Sequence, residues 1–414
     1  MPENTDVRTK GFHKRTPVDK ALNTLLRKVK PLGAERVQLV DALDRVLAQK
    51  VVALHDSPPF SRGAMDGYAL KGENTFGASQ TNPIYFKLKG KVLTGETMNL
   101  RIHEFEAARI MTGAPMPEGA NAVAMFEYVK EIEDEIEVLK PVTPGKNVSL
   151  KGEDVKKGDV LLRKGRKIKP QDVAIMAAMG VAELPVYRQP TVGIIATGDE
   201  LREPGSMLRS AEIYNANSYA LHALVERSGG LPEIRGIVGD DYEGMKGAVR
   251  NALRADLVLI SGATSVGERD FIPKVTADLG EVLIHGVAMR PGEPTGFGVV
   301  DDKLVFMLPG YPVAAIFAYE TFVRPILEKM QGLETSRMYP KIRGQLKRKI
   351  ASELGRRDYV RVRLDFTGEQ PMVEPIRTSG SGIISSLVRA DGFVVVPENT
   401  EGLEQGTIVE VNVF

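Results

Sequence analysis

The sequence predicts a multidomain α/β plus β protein, with a central, mostly parallel α/β domain flanked by modules of short strands. Three observations predict it. From 190 to 330, apolar strand-like runs alternate with helical patterns, the signature of a parallel sheet covered by helices on both faces. From about 51 to 149, and again beyond 332, β-branched runs are short and broken by Gly and Pro. The chain has 414 residues, which at about 150 residues per domain leaves room for roughly three domains and several cores.

Taken in order, Thr16-Pro17-Val18-Asp19 reads as a helix start, with Thr16 as cap, Pro17 in the first helical position and Asp19 complementing the helix dipole. Val18, Ala21, Leu22, Leu25, Leu26 and Val29 then recur at helical spacing up to Pro31. Within 51–149, Ile84–Leu88, Ala122–Phe126 and Glu135–Leu139 read as strands. The acidic stretch Glu131–Glu137 is either a solvated hairpin, with Ile and Val alternating onto a buried face, or a cation site. Residues 152–180 read as a turn-rich β segment and a helix opening after Pro170, completing the domain begun by the N-terminal helix and making 51–149 an insertion. In the α/β domain the expected strands are Thr191–Thr197, Glu233–Gly239, Asp256–Ser261 and Glu281–Met289, with a short pair at 296–300 and 304–308. Helices are expected near Ser218–Arg227, Tyr242–Arg254 and Ile272–Leu279 and from Pro312 onward. Tyr359–Leu364 and Gly392–Pro397 read as strands of the last module. Four modules fit better than three: 1–50 with 150–185, 51–149, 186–332 and 333–414.

Composition narrows the function. Lys and Arg number 55 against 54 Asp and Glu, a formal net charge of +1. A dedicated nucleic-acid binder gathers surplus cations to displace counterions, so the balance argues against that class, and any anion site must be local. The absence of Cys excludes a disulfide framework, thiolate catalysis and Cys-built zinc or iron–sulfur sites. A reducing cytoplasm is the expected compartment. Met1–Arg15 is polar without an apolar signal core, and no window approaches 18 uninterrupted apolar residues, so a soluble, unexported chain without a membrane partner is expected.

Ligands of open α/β sheets collect at the carboxyl ends of the strands. Five polar, Gly- or Pro-rich segments fall there: Thr197–Glu200, Gly239–Asp241, Ser261–Asp270, Arg290–Pro294 and Leu308–Pro312. In the Ser261–Gly267 loop, Ser261, Gly262, Thr264 and Ser265 can offer hydroxyls and backbone N–H groups to a phosphate. The loop is neither a Walker loop nor a dinucleotide fingerprint, which disfavours ordinary ATPase or NAD chemistry. Glu200, Asp240 and Asp270 lie at three strand ends. They either share one Mg²⁺ with substrate phosphates, or serve as helix caps, a role open to Asp240 and Asp270. Two further irregular segments, Ser57–Ala69 and Ile110–Pro117, read as turns or as parts of a site.

The ordered motifs AMDGYA (64–69), MTGAPMP (111–117), GEDV (152–155), TGDEL (197–201), SGATSVGERD (261–270), RPGEP (290–294) and LPGYPVAA (308–315) resemble those of the molybdopterin molybdenumtransferases, the family of MoeA and the gephyrin E domain, from about residue 15 to the C-terminus. The resemblance implies a four-part elongated subunit: an N-terminal dimerisation domain, an inserted β module, a MogA-like central domain that binds molybdopterin, and a β-barrel-like C-terminal domain. It also implies a homodimer with a cleft between the α/β domain of one subunit and the β module of the other. The implied reaction inserts molybdate or tungstate into adenylylated molybdopterin and releases AMP, with Mg²⁺ as cofactor. A molybdopterin adenylyltransferase is the candidate supplier of substrate.

By motif position, the resemblance assigns Asp66, Thr112, Asp154, Glu200, Asp240, Asp270 and Arg290 to catalysis. Pro309 and Pro312 frame the last loop, while Arg361 and Ser381 match positions linked to molybdate. These assignments make chemical sense: a tetrahedral dianion calls for Arg forks and hydroxyls, and pyrophosphate cleavage calls for positioning and charge neutralisation. Residues 341–363 hold nine Lys and Arg against two acidic residues, either drawing in an anion or forming a solvated sheet face. Several positions depart from the family pattern. Ala263 replaces a loop Gly, Glu293 and Gly286 stand where Lys is common, and Ser149 replaces an Arg. His285, beside Gly286, is either a packed residue or a substitute for the missing Lys. The alternatives to a metal-inserting transferase are a molybdopterin adenylyltransferase, marked by ATP-dependent adenylation without molybdate, and a non-catalytic scaffold, marked by binding without turnover.

Overall fold

The computed structural model describes residues 15–95, 100–262, 271–333, 339–376, 380 and 382–414. The first helix, Val18–Lys28, buries Val18, Ala21 and Leu25 in one apolar cluster with Tyr319, Phe322 and Ile326 of the central domain. Full burial of a side chain such as Leu25 is worth about 2 kcal/mol. Thr16 does not cap this helix. Pro17 holds the cap position without a side-chain bond, because the backbone of Thr16 is drawn into a bridge with Val287. Its amide donates to the Gly286 carbonyl at 3.0 Å and its carbonyl accepts from Ala288 at 2.9 Å. Asp19, in the first turn, also takes a two-pronged bond from Arg357 in the last module, at 3.0 and 2.9 Å.

Ala34–Gln38 pairs antiparallel with Glu183–Tyr187, and Val51–Val52 with Val160–Leu162. Leu47, Leu162, Ile168, Met176 and Leu184 form the core behind these pairs. The helix Pro170–Ala178 opens at Pro170 itself. Between these segments lies a six-stranded sheet in the order Ala122–Met125, Gly67–Leu70, Glu106–Ile110, Ile84–Val92, Glu135–Val138, Val129–Ile132. Its last two strands are the acidic hairpin. They turn through Glu133 at φ 51° and bury Ile136 and Val138, so the solvated-hairpin reading holds. The Tyr68 hydroxyl donates to Glu131, and burial, together with that carboxylate, pushes its phenol up to about 12.

The central sheet runs Leu231–Val238, Thr191–Thr197, Leu257–Gly262, Lys303–Pro309, Gly296–Val300, Glu281–His285. Every strand is parallel except Gly296–Val300, which is antiparallel to both neighbours. The carboxyl ends of the other five therefore share one edge. The expected strand Glu281–Met289 stops at His285, because Gly286 turns the chain at φ 92°. Met289–Arg290 then leaves this sheet and pairs in parallel with Arg357 and Asp358. His285 lies opposite Gly296 in the sheet, where an added Cβ would meet its ring at 3.2 Å, so it is a packed residue of the ladder.

In the last module, Lys341–Leu346, Arg357–Asp365, Met372–Pro375, Gly392–Val396 and Ile408–Val413 close into a barrel, since Arg357–Asp365 pairs with both Met372–Pro375 and Gly392–Val396. Leu346, Val362, Val373, Val394 and Val411 fill it. Five of the nine cations of its basic run share three carboxylates at the surface. Lys341 and Arg343 meet Glu410, Lys347 and Arg348 meet Glu374, and Lys349 meets Glu404. Among the described residues no helix is long and apolar enough to cross a membrane.

Candidate functional site

Two adjoining cavities sit at the carboxyl edge of the central sheet. The first, of about 570 Å³, is lined by Thr197, Glu200, Asn217, Ser261, Gly262, Pro309 and Pro312 among others. Backbone economy shapes it. Gly198 takes φ 147°, and a Cβ there would fall 2.7 Å from the Glu200 carboxylate, which folds back over it. At Gly262 a Cβ would collide with Thr197, 2.1 Å from its methyl and 2.7 Å from its carbonyl oxygen. The ends of neighbouring strands thus approach more closely than any side chain allows.

The second cavity, of about 610 Å³, opens between the central sheet and the barrel and is lined by Arg290, Glu293, Arg356, Asp358 and Arg361 with apolar neighbours. Pro294, Pro309 and Tyr311 line both cavities. Arg361 is 8% exposed. Burial holds its guanidinium below the usual Arg range, and the nearby Arg290 charge acts the same way. Asp358, nearly buried, accepts from Arg356 Nε at 3.1 Å and lies 4.0 Å from Arg290 Nη1. Three arginines, Arg290, Arg356 and Arg361, thus line this cavity against two carboxylates, Asp358 and Glu293. Glu293 also pairs with Arg15, at 2.9 Å.

Asp66 and Thr112 line neither cavity. They meet on the inserted sheet, where the loops 57–67, 110–117 and 147–155 are stitched by backbone bonds such as Gly63 to Ala114 at 3.0 Å and Gly152 to Pro58 at 3.0 Å. Thr112 donates its amide and then its hydroxyl to Asp66, and the two bonds hold that carboxyl below the usual range. Asp154 lies on the same stitched surface, its amide donating to the Ser57 carbonyl at 3.1 Å. Ser149 donates to Glu153. Asp240 sits in a narrow cleft with Thr197, Gly239 and Phe271, and its amide donates to Asp199. The helix cap is its neighbour Asp241, which accepts from the Gly244 amide at 2.6 Å, so the capping alternative for Asp240 is overturned. Thr264, Ser265, Asp270 and Ser381 lie outside the described residues, as does Ala263.

The structure thus brings Glu200, Ser261, Gly262, Pro309 and Pro312 together, and Arg290 with Arg361. It keeps Asp66, Thr112 and Asp154 apart from both groups. The sequence reading missed Asn217, Tyr311, Arg356 and Asp358. Arg356 and Asp358 stood inside the motif around Arg361, and Tyr311 inside the loop between the two prolines, so motif context was the available signal. Asn217 looked like one more polar residue at a helix start. No group of three or more His, Cys, Asp or Glu side chains converges as a metal site among the described residues. Glu200 lines the larger cavity and Asp240 its neighbouring cleft, and Thr197 borders both. Mg²⁺ takes oxygen ligands and few carboxylates, so the donor chemistry of these two residues suits that ion.

A sheet whose strand ends open onto one cavity, adjoining an arginine-lined cavity under a β-barrel, defines a multidomain α/β protein with its candidate ligand site at the carboxyl edge of the sheet. Comparison with known proteins gives the particular family. Residues 16–180 match the MoeA N-terminal region (domain I and II), 193–329 a probable molybdopterin binding domain, and 343–414 the MoeA C-terminal region (domain IV). A putative molybdopterin biosynthesis protein of Methanocaldococcus jannaschii is 44% identical over 387 residues, covering 91% of each chain. The molybdopterin molybdenumtransferase of Bacillus subtilis is 34% identical over 408 residues, covering 97% of this chain and 95% of its own. The crystal structure of the molybdopterin biosynthesis MoeA protein of Pyrococcus horikoshii superposes with a TM-score of 0.84 at 37% identity, over 97% of this chain and all of the other. The chain belongs to the MoeA family.

Proposed function

We propose that this protein is a molybdopterin molybdenumtransferase of molybdenum cofactor biosynthesis, inserting molybdate or tungstate into adenylylated molybdopterin with release of AMP. The observation that carries the proposal is that the two cavities adjoin, sharing Pro294, Pro309 and Tyr311 as walls. One end offers Ser261 and strand-end backbone to a phosphorylated pterin, and the other offers buried guanidinium to an oxyanion. Arg361 and Arg290 present forked donors to a tetrahedral dianion at the barrel end. Pyrophosphate cleavage then needs the adenylate held still and its charge neutralised. Glu200 and Asp240, with Asp270, would hold Mg²⁺, which when bound supplies charge neutralisation at the phosphates.

Asp66 and Thr112, exposed and facing neither cavity of their own chain, are read as completing the site of a second copy, so the working unit is a homodimer in the cytoplasm. The test supplies adenylylated molybdopterin with Mg²⁺ and either molybdate or tungstate and follows AMP. Oxyanion-dependent AMP release is expected, and chelation of Mg²⁺ should abolish it. Its absence with active substrate sinks the proposal. At molybdate concentrations low enough that Asp66→Asn and Arg361→Ala protein are each impaired, mixing the two should restore part of the activity, because one mixed site then carries neither change. No recovery on mixing, or a monomer on sedimentation, sinks the shared site.

A further inference from the structure

Asn217 stands in the first turn of the helix Ala216–Arg227 and lines the first cavity. Its Nδ2 lies 2.7 Å from the Ser261 hydroxyl oxygen and 2.7 Å from the Gly310 carbonyl oxygen, while its Oδ1 is buried without a hydrogen-bond partner. The amide has only one workable orientation. The Gly310 carbonyl can only accept, so the nitrogen must face it, and the second N–H then points at Ser261 Oγ. With that oxygen accepting, the Ser261 proton turns elsewhere. Its one acceptor among the described residues is the Pro309 carbonyl at 3.5 Å, well beyond the 2.5–3.0 Å of an O–H···O bond, as a rough guide.

We infer that Asn217 is a positioning residue that makes Ser261 a committed hydrogen-bond donor to the first cavity, selecting for ligand atoms that can only accept, such as phosphate oxygens. The same amide ties three elements together: the helix start, the end of Leu257–Gly262, and the turn after Lys303–Pro309, where Gly310 rests on Gly262 with room for no more than a tight Cβ at 3.2 Å. Leaving Oδ1 buried and unmatched costs free energy. The two donor bonds to Ser261 and Gly310, each 2.7 Å, offset that cost. The inference rests on the proposed function only for the identity of the ligand.

The test is a double-mutant cycle on the full-length protein, with adenylylated molybdopterin as the probe and no oxyanion present, so that binding is read without turnover. Ser261→Ala and Asn217→Asp should each weaken binding about tenfold, the strength of one such bond. In the Ser261→Ala background Asn217→Asp should add less than about twofold, since its effect passes through the hydroxyl. In steady state the Asn217 variant should raise KM for the adenylylated substrate and leave kcat nearly unchanged. Asn217→Ala, which removes the amide without placing a carboxylate against Gly310, serves as the second variant, and thermal melting verifies both folds. Additive losses, or an Asn217 variant that binds like wild type, overturn the inference while leaving the proposed function standing. A wild-type protein that fails to bind the probe overturns both.

Discussion

Thr112 gives both its amide, at 2.7 Å, and its hydroxyl, at 2.8 Å, to the same oxygen of Asp66. Two donors on one carboxylate oxygen favour the ionised form, which is why that carboxyl titrates below its usual range although it is exposed. In Thr112→Ala the amide bond stays and the hydroxyl bond goes, so the Asp66 pKa should rise part of the way back, as read by carbon-13 titration of the carboxyl. An unmoved pKa shows that the hydroxyl contributes nothing.

Asp66→Asn keeps the shape of the side chain and removes its charge. We expect AMP release to fall at least about a hundredfold, the scale of losing a catalytic carboxylate, while the melting temperature changes by no more than about 2 °C, as befits an exposed site. Parallel loss of activity and melting temperature would return Asp66 to a structural role.

Arg361→Ala should raise the KM for molybdate about tenfold or more, and Arg361→Lys should not restore it, because a single ammonium cannot reproduce a planar fork. Rates measured across molybdate concentration decide this. A lysine variant with wild-type KM means that charge alone suffices.

The pair between Asp19 and Arg357 joins the first helix to the barrel. Asp19 is largely exposed, so solvent discounts the pair, and Asp19→Asn should cost only about 0.5 kcal/mol at pH 7. The Arg357 bond lowers the Asp19 pKa. Its stabilisation is therefore present above the unfolded carboxyl pKa and lost as pH falls through the folded one. Urea midpoints of wild type and variant should differ at pH 7 and converge once the pH falls below the folded Asp19 pKa; a gap that persists after Asp19 is protonated rules out an ionic origin.

Gly67→Ala places a Cβ 2.0 Å from the Ala124 carbonyl oxygen across the sheet. Strand separation must change, at about 2 kcal/mol, the usual scale of overpacking. The denaturation midpoint should fall at unchanged slope. A neutral variant would mean that the strand following Asp66 moves freely past its neighbour.

The alternation of strands and helices between 190 and 330 was legible because period-2 and period-3.6 patterns are local properties of sequence. The hairpin at Glu131–Glu137 was legible for the same reason. What escaped was tertiary. Thr16 carries a cap residue's chemistry, yet its backbone is recruited by Val287, far along the chain. Glu281–Met289 reads as one strand, yet Gly286 divides it between two sheets. Asp240 and Asp241 are indistinguishable as caps until the turn geometry chooses one. In the site, motif order pointed to Glu200, Ser261, Arg290 and Arg361, but no local pattern separates Asn217 from Asn215. Asn215 is the cap, accepting from Ser218, and Asn217 instead spans the cavity floor.

The two-residue ladder of Met289 with Arg357 and Arg290 with Asp358 welds the central domain to the barrel along one wall of the second cavity. The seam is made of peptide groups. Side-chain changes at Arg290 or Asp358 can therefore retune the charge of that cavity without parting its two walls.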